Sequence, residues 1–552
     1  MLGYSGDNFQ HAWFLWYFAR AVTHLHNPFY TNLIYYPATV NLAWSTLDPL
    51  AGFLALPLSL TLGPVAAYNL SIILQLALGA FFARVLCLRI CGNEVAALIG
   101  GMCFGFSPFL MAHALGHLSL VTAFPIPLFL LALDSLLSAR DANWKHGVLL
   151  GLALFLTALS HYNYTVICLM LMAAVVIIRL VNEGPKLAAR TWKSFCWAGG
   201  TFLILFSPIL GMLVGSSADR PSPRPLDHIQ QYSADVFGFL IPSWNHILLG
   251  HFAKGLDLKL FVAGFEGTVY ASPVILCFAV LGFLKRRGIN NSWGIQAAII
   301  GSLFYLLSLG PALRFFGKQT AFPGPAALLY HFPSVRFLSA PARFQVITAL
   351  CLAILCSIGL AVLLKKFDKK WQQRAIPAVA ATLLLLDLLT IPFPKASIAD
   401  PAWSPDSTTP AERCVLPEAL QKGTIVTFPL THWPYSMKST WMQVTDQGRY
   451  SLVDGYLSYT PDRVWNDYYG NPILRSLLLL QGEFPGSIDT SADGVAAPAA
   501  FRSLNASAAV VFDSPWHDAA VKYLETVLQQ TGQSAGSCTV FAIPPPVAVP
   551  RE

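Results

Sequence analysis

The sequence predicts an all-α polytopic membrane bundle of about 10–12 helices that carries a small α/β domain at its C-terminal end. Three observations predict it. Only 11% of the 552 residues are charged and 55% are hydrophobic, whereas soluble domains average about 25% charged. Ten apolar runs approach the ~20 residues that a helix needs to cross a bilayer. Finally, the charge changes sign along the chain. Residues 400–552 hold 15 acidic and 9 basic residues, and the rest hold 13 acidic and 26 basic.

The runs come in order near 66–86, 95–112, 118–137, 146–160, 161–180, 194–214, 268–284, 293–310, 342–364 and 376–393. His161-Tyr162-Asn163-Tyr164 reads as a polar turn between two of them. The 46–62 run is shorter and punctuated by Pro49 and Pro57, with Pro64 just beyond. It is expected to be re-entrant or incomplete, which is tolerated where protein covers the backbone. Basic clusters at Arg84/Arg89, Arg140/Lys145, Arg179–Lys193, Lys285–Arg287 and Lys365–Lys370 fall at alternate ends of the runs. Short cytoplasmic loops collect Lys and Arg, so the connections near 113–117, 161–164, 215–267 and 311–341, and all that follows residue 393, are expected outside. Nothing before Asp7 resembles a signal peptide, and the first helix of the bundle is expected to be missing.

Two domains follow, 1–393 in the membrane and 394–552 outside it. In the tail, Gly423–Pro429, Ala508–Phe512 and Cys538–Ile543 read as strands, and 516–530 as an amphipathic helix. Asp400–Pro410 reads as a linker. Cys414 and Cys538 are the two cysteines of the tail. Two free buried thiols are the leading expectation, and pairing in an oxidising compartment is the alternative. The basic residues lie in separate loops rather than on one face, which argues against nucleic acid as a partner.

Conventional catalytic motifs are absent: no P-loop, no G-x-S-x-G, no H-E-x-x-H and no zinc-ligand spacing. What stands out is residues 3–49, an acid followed by an aromatic helix (Trp13, Trp16, Tyr17, Phe18), Asn-Pro and Tyr-Pro turns, and the Pro-broken run. The helix suits the membrane interface. This stretch resembles the first extracytoplasmic loop of GT-C superfamily glycosyltransferases, and more narrowly bacterial proteins of the glycosyltransferase-39 and YfhO-like kind. Gly105–Pro108 with Gly116–Leu118, Val236–Gly250, Phe265–Tyr270, Phe332–Phe344 and Leu452–Pro461 are loosely similar to the same family. The resemblance implies a polyprenyl-phosphate-linked sugar donor, transfer on the outer face of a bacterial inner membrane, and a catalytic base in the first outer loop. Asp7 matches that position. The chain departs from the pattern in lacking a helix before Asp7 and a second acid beside it.

One carboxylate is what such a transfer needs, to take the proton of the acceptor hydroxyl, with cations to receive the phosphate that leaves. Asp7 is the candidate base, and a helix N-cap is its bland alternative. His113, His117, His161 and Glu266 stand at span ends expected outside, as substrate contacts or as structural groups. Arg336 and Arg343 share a loop with Pro333 and Pro341, as donor-phosphate ligands or headgroup anchors. No cofactor is expected, with a divalent metal left open, and the partners expected are the lipid-linked sugar and membrane lipids. His432–Tyr435 and the tyrosines after Leu452 form aromatic surfaces for an acceptor or for packing on the bundle. A membrane glycosyltransferase is the leading expectation. A lipid or polysaccharide transporter, or an inactive scaffold of glycan assembly, are the alternatives. Polar candidates gather at one face and no internal repeat is visible, which favours the enzyme.

Overall fold

The computed structural model describes residues 1–544 apart from 217–218, 261–263, 333–334, 368, 389, 391–392 and 400–412. The expected linker, residues 400–410, lies outside the described residues.

Every expected span is helical. The first group comprises α1 (Asp7–Thr23), α2 (Pro49–Leu62), α3 (Pro64–Cys91), α4 (Glu94–Gly105), α5 (Pro108–His113), α6 (Leu118–Val121), α7 (Pro125–Ser138), α8 (Trp144–Ser160), α9 (Tyr162–Glu183) and α10 (Pro185–Gly215). After the short α11 (Leu226–Gln231) and α12 (Gly250–Leu260) come α13 (Pro273–Lys285) and α14 (Asn291–Ser308). The hairpin β3 (Ala312–Phe315) and β4 (Lys318–Pro323) and the short α15 (Ala327–His331) lead to α16 (Gln345–Lys365) and α17 (Lys370–Leu388). Upstream, β1 (Tyr30–Thr31) and β2 (Val40–Asn41) form a small ribbon between α1 and α2.

Among the described residues, six helical segments are long and apolar enough to cross a membrane unaided. The chain is a multi-pass membrane protein. Burial separates centre from rim. The α16 span is 83% buried and the α10 span 11% buried, and Ile204 and Val214 of α10 point outward at 74% and 69% exposure. Small residues let central helices touch. A Cβ on Gly105 of α4 would sit 2.5 Å from the Ala80 Cβ of α3.

The spans alternate in direction, so the connections carrying the candidate residues share one end, here the site end, and the basic clusters share the other. Asp134 explains itself at the basic end. It accepts from Arg89 (2.6 Å), Arg179 (3.0 Å) and Trp293 (3.2 Å), tying α7 to α3, α9 and α14. Helix α2 starts at Asp48, whose carboxylate caps Ala51, and α3 returns to Leu2 through Asn69. Fourteen residues rise about 21 Å, less than the ~30 Å hydrocarbon core.

The tail is an α/β layer. Its sheet runs β6-β5-β7-β9-β8, from β5 (Thr424–Phe428), β6 (Ser451–Leu452), β7 (Ala506–Phe512), β8 (Gln533–Ser534) and β9 (Cys538–Ala542). Strand β5 pairs in parallel with β6 and β7, and β9 is antiparallel to β7 and β8. Helices α18 (Tyr435–Thr445), α19 (Asp462–Gly470), α20 (Pro472–Leu480), α21 (Thr490–Ser503) and α22 (His517–Leu528) complete it. Cys414 and Cys538 are disulfide-bonded, which corrects the expectation of free thiols.

A second expectation is corrected here. Helix α1 does not lie exposed on a membrane surface, because Trp13, Tyr17 and Phe18 are buried. The tail covers it. Gln443 accepts from the Trp13 indole at 2.9 Å and donates to the Leu33 carbonyl at 2.8 Å. Leu452 and Tyr36 extend the pairing past the sheet edge, with Leu452 N on Leu33 O and Tyr36 N on Leu452 O. Gly448, at φ +62°, lies so close to Trp16 that a Cβ would meet its ring at 2.5 Å.

Candidate active site

The connections of the site end and the tail enclose a cavity of about 820 Å³. Asp7 opens α1, in the first turn, where the helix dipole favours an anion. Its Oδ2 lies 2.9 Å from His117 Nε2, and its Oδ1 accepts from the Tyr456 hydroxyl at 2.6 Å. His117 Nδ1 faces Glu266 Oε1 at 3.3 Å. Glu266 in turn accepts from Arg343 Nη2 at 2.5 Å and Nε at 3.2 Å. His113, one turn before His117, faces Glu266 Oε2 through Nε2 at 3.3 Å. Its Nδ1 donates to the Phe109 carbonyl at 2.8 Å, since a carbonyl only accepts.

The two carboxylates differ in access. The Asp7 side chain is 39% exposed and borders the cavity, and that of Glu266 is 6% exposed. Burial alone would push the Asp7 carboxyl up. Hydrogen bonds from His117 and Tyr456 outweigh it and hold the group at about 2. Burial would lower His117, but Glu266 and Asp7 on its two sides raise it above the ordinary histidine value. Burial would likewise raise Glu266, which Arg343 and His117 hold well below the carboxylate range. Burial drives His161 well down, helped by Arg343, so its ring is neutral. His11 falls to about 3, again by burial and against the pull of Asp7.

All seven residues singled out in the sequence belong to this assembly. Asp7, His117, His161, Glu266, Arg336 and Arg343 line the cavity, and fully buried His113 stands behind Glu266. Asp7 and Glu266 both contact His117, one on each ring nitrogen. Arg343 lines the cavity while its Nε and Nη2 bond Glu266, so part of its guanidinium is committed to that carboxylate. Arg336 donates to the Tyr330 carbonyl and, with Arg220 and Arg224, borders the cavity. None of these three meets a carboxylate among the described residues. Gln10 and His11 are not among the sequence candidates, and Tyr456 figures there only within an aromatic surface; Gln10, His11 and Tyr456 all line the cavity. The first two sit three and four residues after Asp7, a spacing that places them on its helix face. Nothing in the sequence ties Tyr456 to Asp7.

His113, His117 and Glu266 also offer three ligand atoms within 4.8 Å of one another, a donor set suited to a borderline divalent ion. The Nδ1 bond of His113 to a carbonyl is the kind of outer contact that fixes a ligating imidazole. Arg343 already neutralises Glu266 from the opposite side.

The fold has relatives among solved structures. It is similar to the arabinofuranosyltransferase AftD from Mycobacteria, with a TM-score of 0.55 at 14% identity, covering 98% of this chain and 38% of that one. It is also similar to ArnT from Cupriavidus metallidurans bound to undecaprenyl phosphate (TM-score 0.41, 14% identity, 70% and 61% covered). A third is the Archaeoglobus fulgidus oligosaccharyltransferase in complex with Zn and sulfate (0.43, 15%, 93% and 64%). The chain thus spans well under half the length of AftD, and that likeness establishes a GT-C-like fold, as the N-terminal loop suggested. No curated protein sequence matches the chain. A family model does, over residues 1–389, and the chain belongs to that family, described as Domain of unknown function (DUF6311).

Proposed function

We propose that this protein is a membrane glycosyltransferase that moves a sugar from a polyprenyl-phosphate donor to an envelope acceptor, with Asp7 as general base. One observation carries the reading. An ionised, accessible carboxylate borders a large cavity that otherwise holds a surplus of arginines. Asp7 takes the proton of the acceptor hydroxyl as that oxygen attacks the anomeric carbon. The anomeric C–O bond breaks and its electron pair leaves on the lipid phosphate, which Arg220, Arg224 and Arg336 receive. Glu266 is kept from acting as base by its bonds to Arg343, and serves to hold His117. Protein cations supply the charge stabilisation in this scheme. The basic clusters support a cytoplasmic position for their end, with the cavity on the extracytoplasmic face.

The test is sugar transfer by purified protein in lipid nanodiscs from a panel of polyprenyl-phosphate sugars. Transfer that falls at least about 100-fold in Asp7→Asn is expected. An Asp7→Asn protein as active as wild type would remove the base, and a panel that yields no transfer would remove the function.

A further inference from the structure

We propose that Tyr456, from the soluble tail, is a positioning residue for Asp7, so that the tail completes the catalytic site rather than merely covering it. The inference deepens the proposed function and rests on Asp7 being its base.

The contact is built from both ends of the tyrosine. Its hydroxyl donates to Asp7 Oδ1 at 2.6 Å, and its carbonyl accepts from the Gln10 side chain at 2.8 Å. Asp7 and Gln10 are one turn apart on α1, so a single helix face grips the residue twice. The loop is also anchored from behind. Asp454 is fully buried and accepts from the Thr431 amide at 3.0 Å. The Tyr35 hydroxyl donates to the Gly455 carbonyl at 2.8 Å. In front, Arg224 reaches the Ser458 carbonyl at 3.3 Å, the Tyr459 hydroxyl donates to the Asp219 carbonyl, and Arg463 pairs with the Asp219 carboxylate at 2.9 Å. The first outer loop, the long loop and the tail therefore meet over the cavity, and Tyr456 to Tyr459 form one of its walls.

The chemistry follows from the two oxygens of Asp7. One is held by His117 and the other by Tyr456, which fixes the plane of the carboxylate against the cavity. A hydrogen bond to the charged form also favours ionisation. This agrees with the low value of Asp7 and with the Tyr456 phenol being raised, by burial first and by the Asp7 charge next. Removing the hydroxyl frees the carboxylate to rotate and makes it easier to protonate.

The experiment uses the full chain in nanodiscs, with Tyr456→Phe compared against Tyr468→Phe. Tyr468 is buried and donates to the Val453 carbonyl at 2.9 Å, so its loss reports general loosening of the same loop. Infrared difference spectra between each protein and its Asp7→Asn version isolate the Asp7 carboxylate stretches at neutral pH without any donor. Tyr456→Phe is expected to shift those stretches through loss of one hydrogen bond and to lower kcat at least about ten-fold with little change in acceptor KM. Tyr468→Phe should leave the stretches in place. Unmoved stretches in Tyr456→Phe, or an equal shift in both variants, would overturn the inference. An Asp7→Asn protein that still transfers sugar sinks the base assignment instead, whatever the stretches do.

Discussion

Glu266→Gln tests the charge architecture directly. Glu266 is 6% exposed on its side chain and Arg343 16%, and two nitrogen–oxygen contacts at 2.5 and 3.2 Å join them. Breaking a buried pair from one side typically costs about 3–5 kcal/mol, because the remaining charge stays buried without compensation. Arg343 borders the cavity and keeps some contact with water, so the lower end, about 3 kcal/mol, is expected. Replacing both partners removes the orphan charge, and Glu266→Gln/Arg343→Gln should regain at least half of that loss. Equilibrium unfolding in mixed micelles, followed by tryptophan fluorescence, gives the four corners of the cycle. A single substitution within about 1 kcal/mol of wild type, or a double no better than the single, would refute the pair as a buried electrostatic unit.

Three further outcomes follow from the same geometry. Asp7 is depressed, so its contribution to stability is full above the unfolded carboxylate value near ~3.9 and fades as pH falls through about 2. His117 is raised, so its contribution is full below ~6.5 and fades as pH climbs through its folded value; thermal stability should decline on that alkaline side in wild type and not in His117→Gln. The Cys414–Cys538 bond closes a separation of 124 residues, and Cys414→Ser should cost the tail about 2–4 kcal/mol, with reductant destabilising wild type and leaving the variant unchanged in urea titrations. Arg224→Ala should raise donor KM at least about ten-fold through loss of a phosphate contact, whereas Arg343→Lys, which cannot keep both bonds to Glu266, should show its main effect in the unfolding midpoint.

Periodicity and length made the bundle legible, because a lipid-facing helix must satisfy its own backbone and therefore writes itself as a continuous apolar run. The strands β5, β7 and β9 were legible for a similar reason, being short, buried and β-branched. What pattern did not show was the fate of α1. Trp13, Tyr17 and Phe18 look the same whether lipid or protein covers them, and only the Gln443 and Gly448 contacts decide for protein. The site was half legible. Asp7, His117 and Glu266 stood out as polar groups at span ends, and three-dimensional closure added their links. The bond from Arg343 to Glu266 was not legible, because a guanidinium in a loop reads alike whether it faces a phosphate or a carboxylate on another loop 77 residues away. Tyr456 lies 449 residues from Asp7, and no local signal spans that distance.

The division of labour between the two acids follows from their neighbours. Glu266 has Arg343 on both oxygens and two imidazoles facing it, so accepting a proton there would leave a buried arginine without its counter-charge. Asp7 has only His117 and a phenol, and it opens onto the cavity, so a proton arriving from the cavity reaches it first. The remaining lining groups then set what the cavity can hold. Asp7 and Glu266 are its only carboxylates among the described lining residues, against Arg220, Arg224, Arg336, Arg343 and a raised His117. Such a surplus of cations gives the cavity a positive potential and stabilises a bound anion. An anionic ligand neutralises what the protein leaves unbalanced, and an uncharged solute crossing the membrane would gain nothing from it. The imbalance therefore favours an anionic ligand over the passage of a neutral glycan.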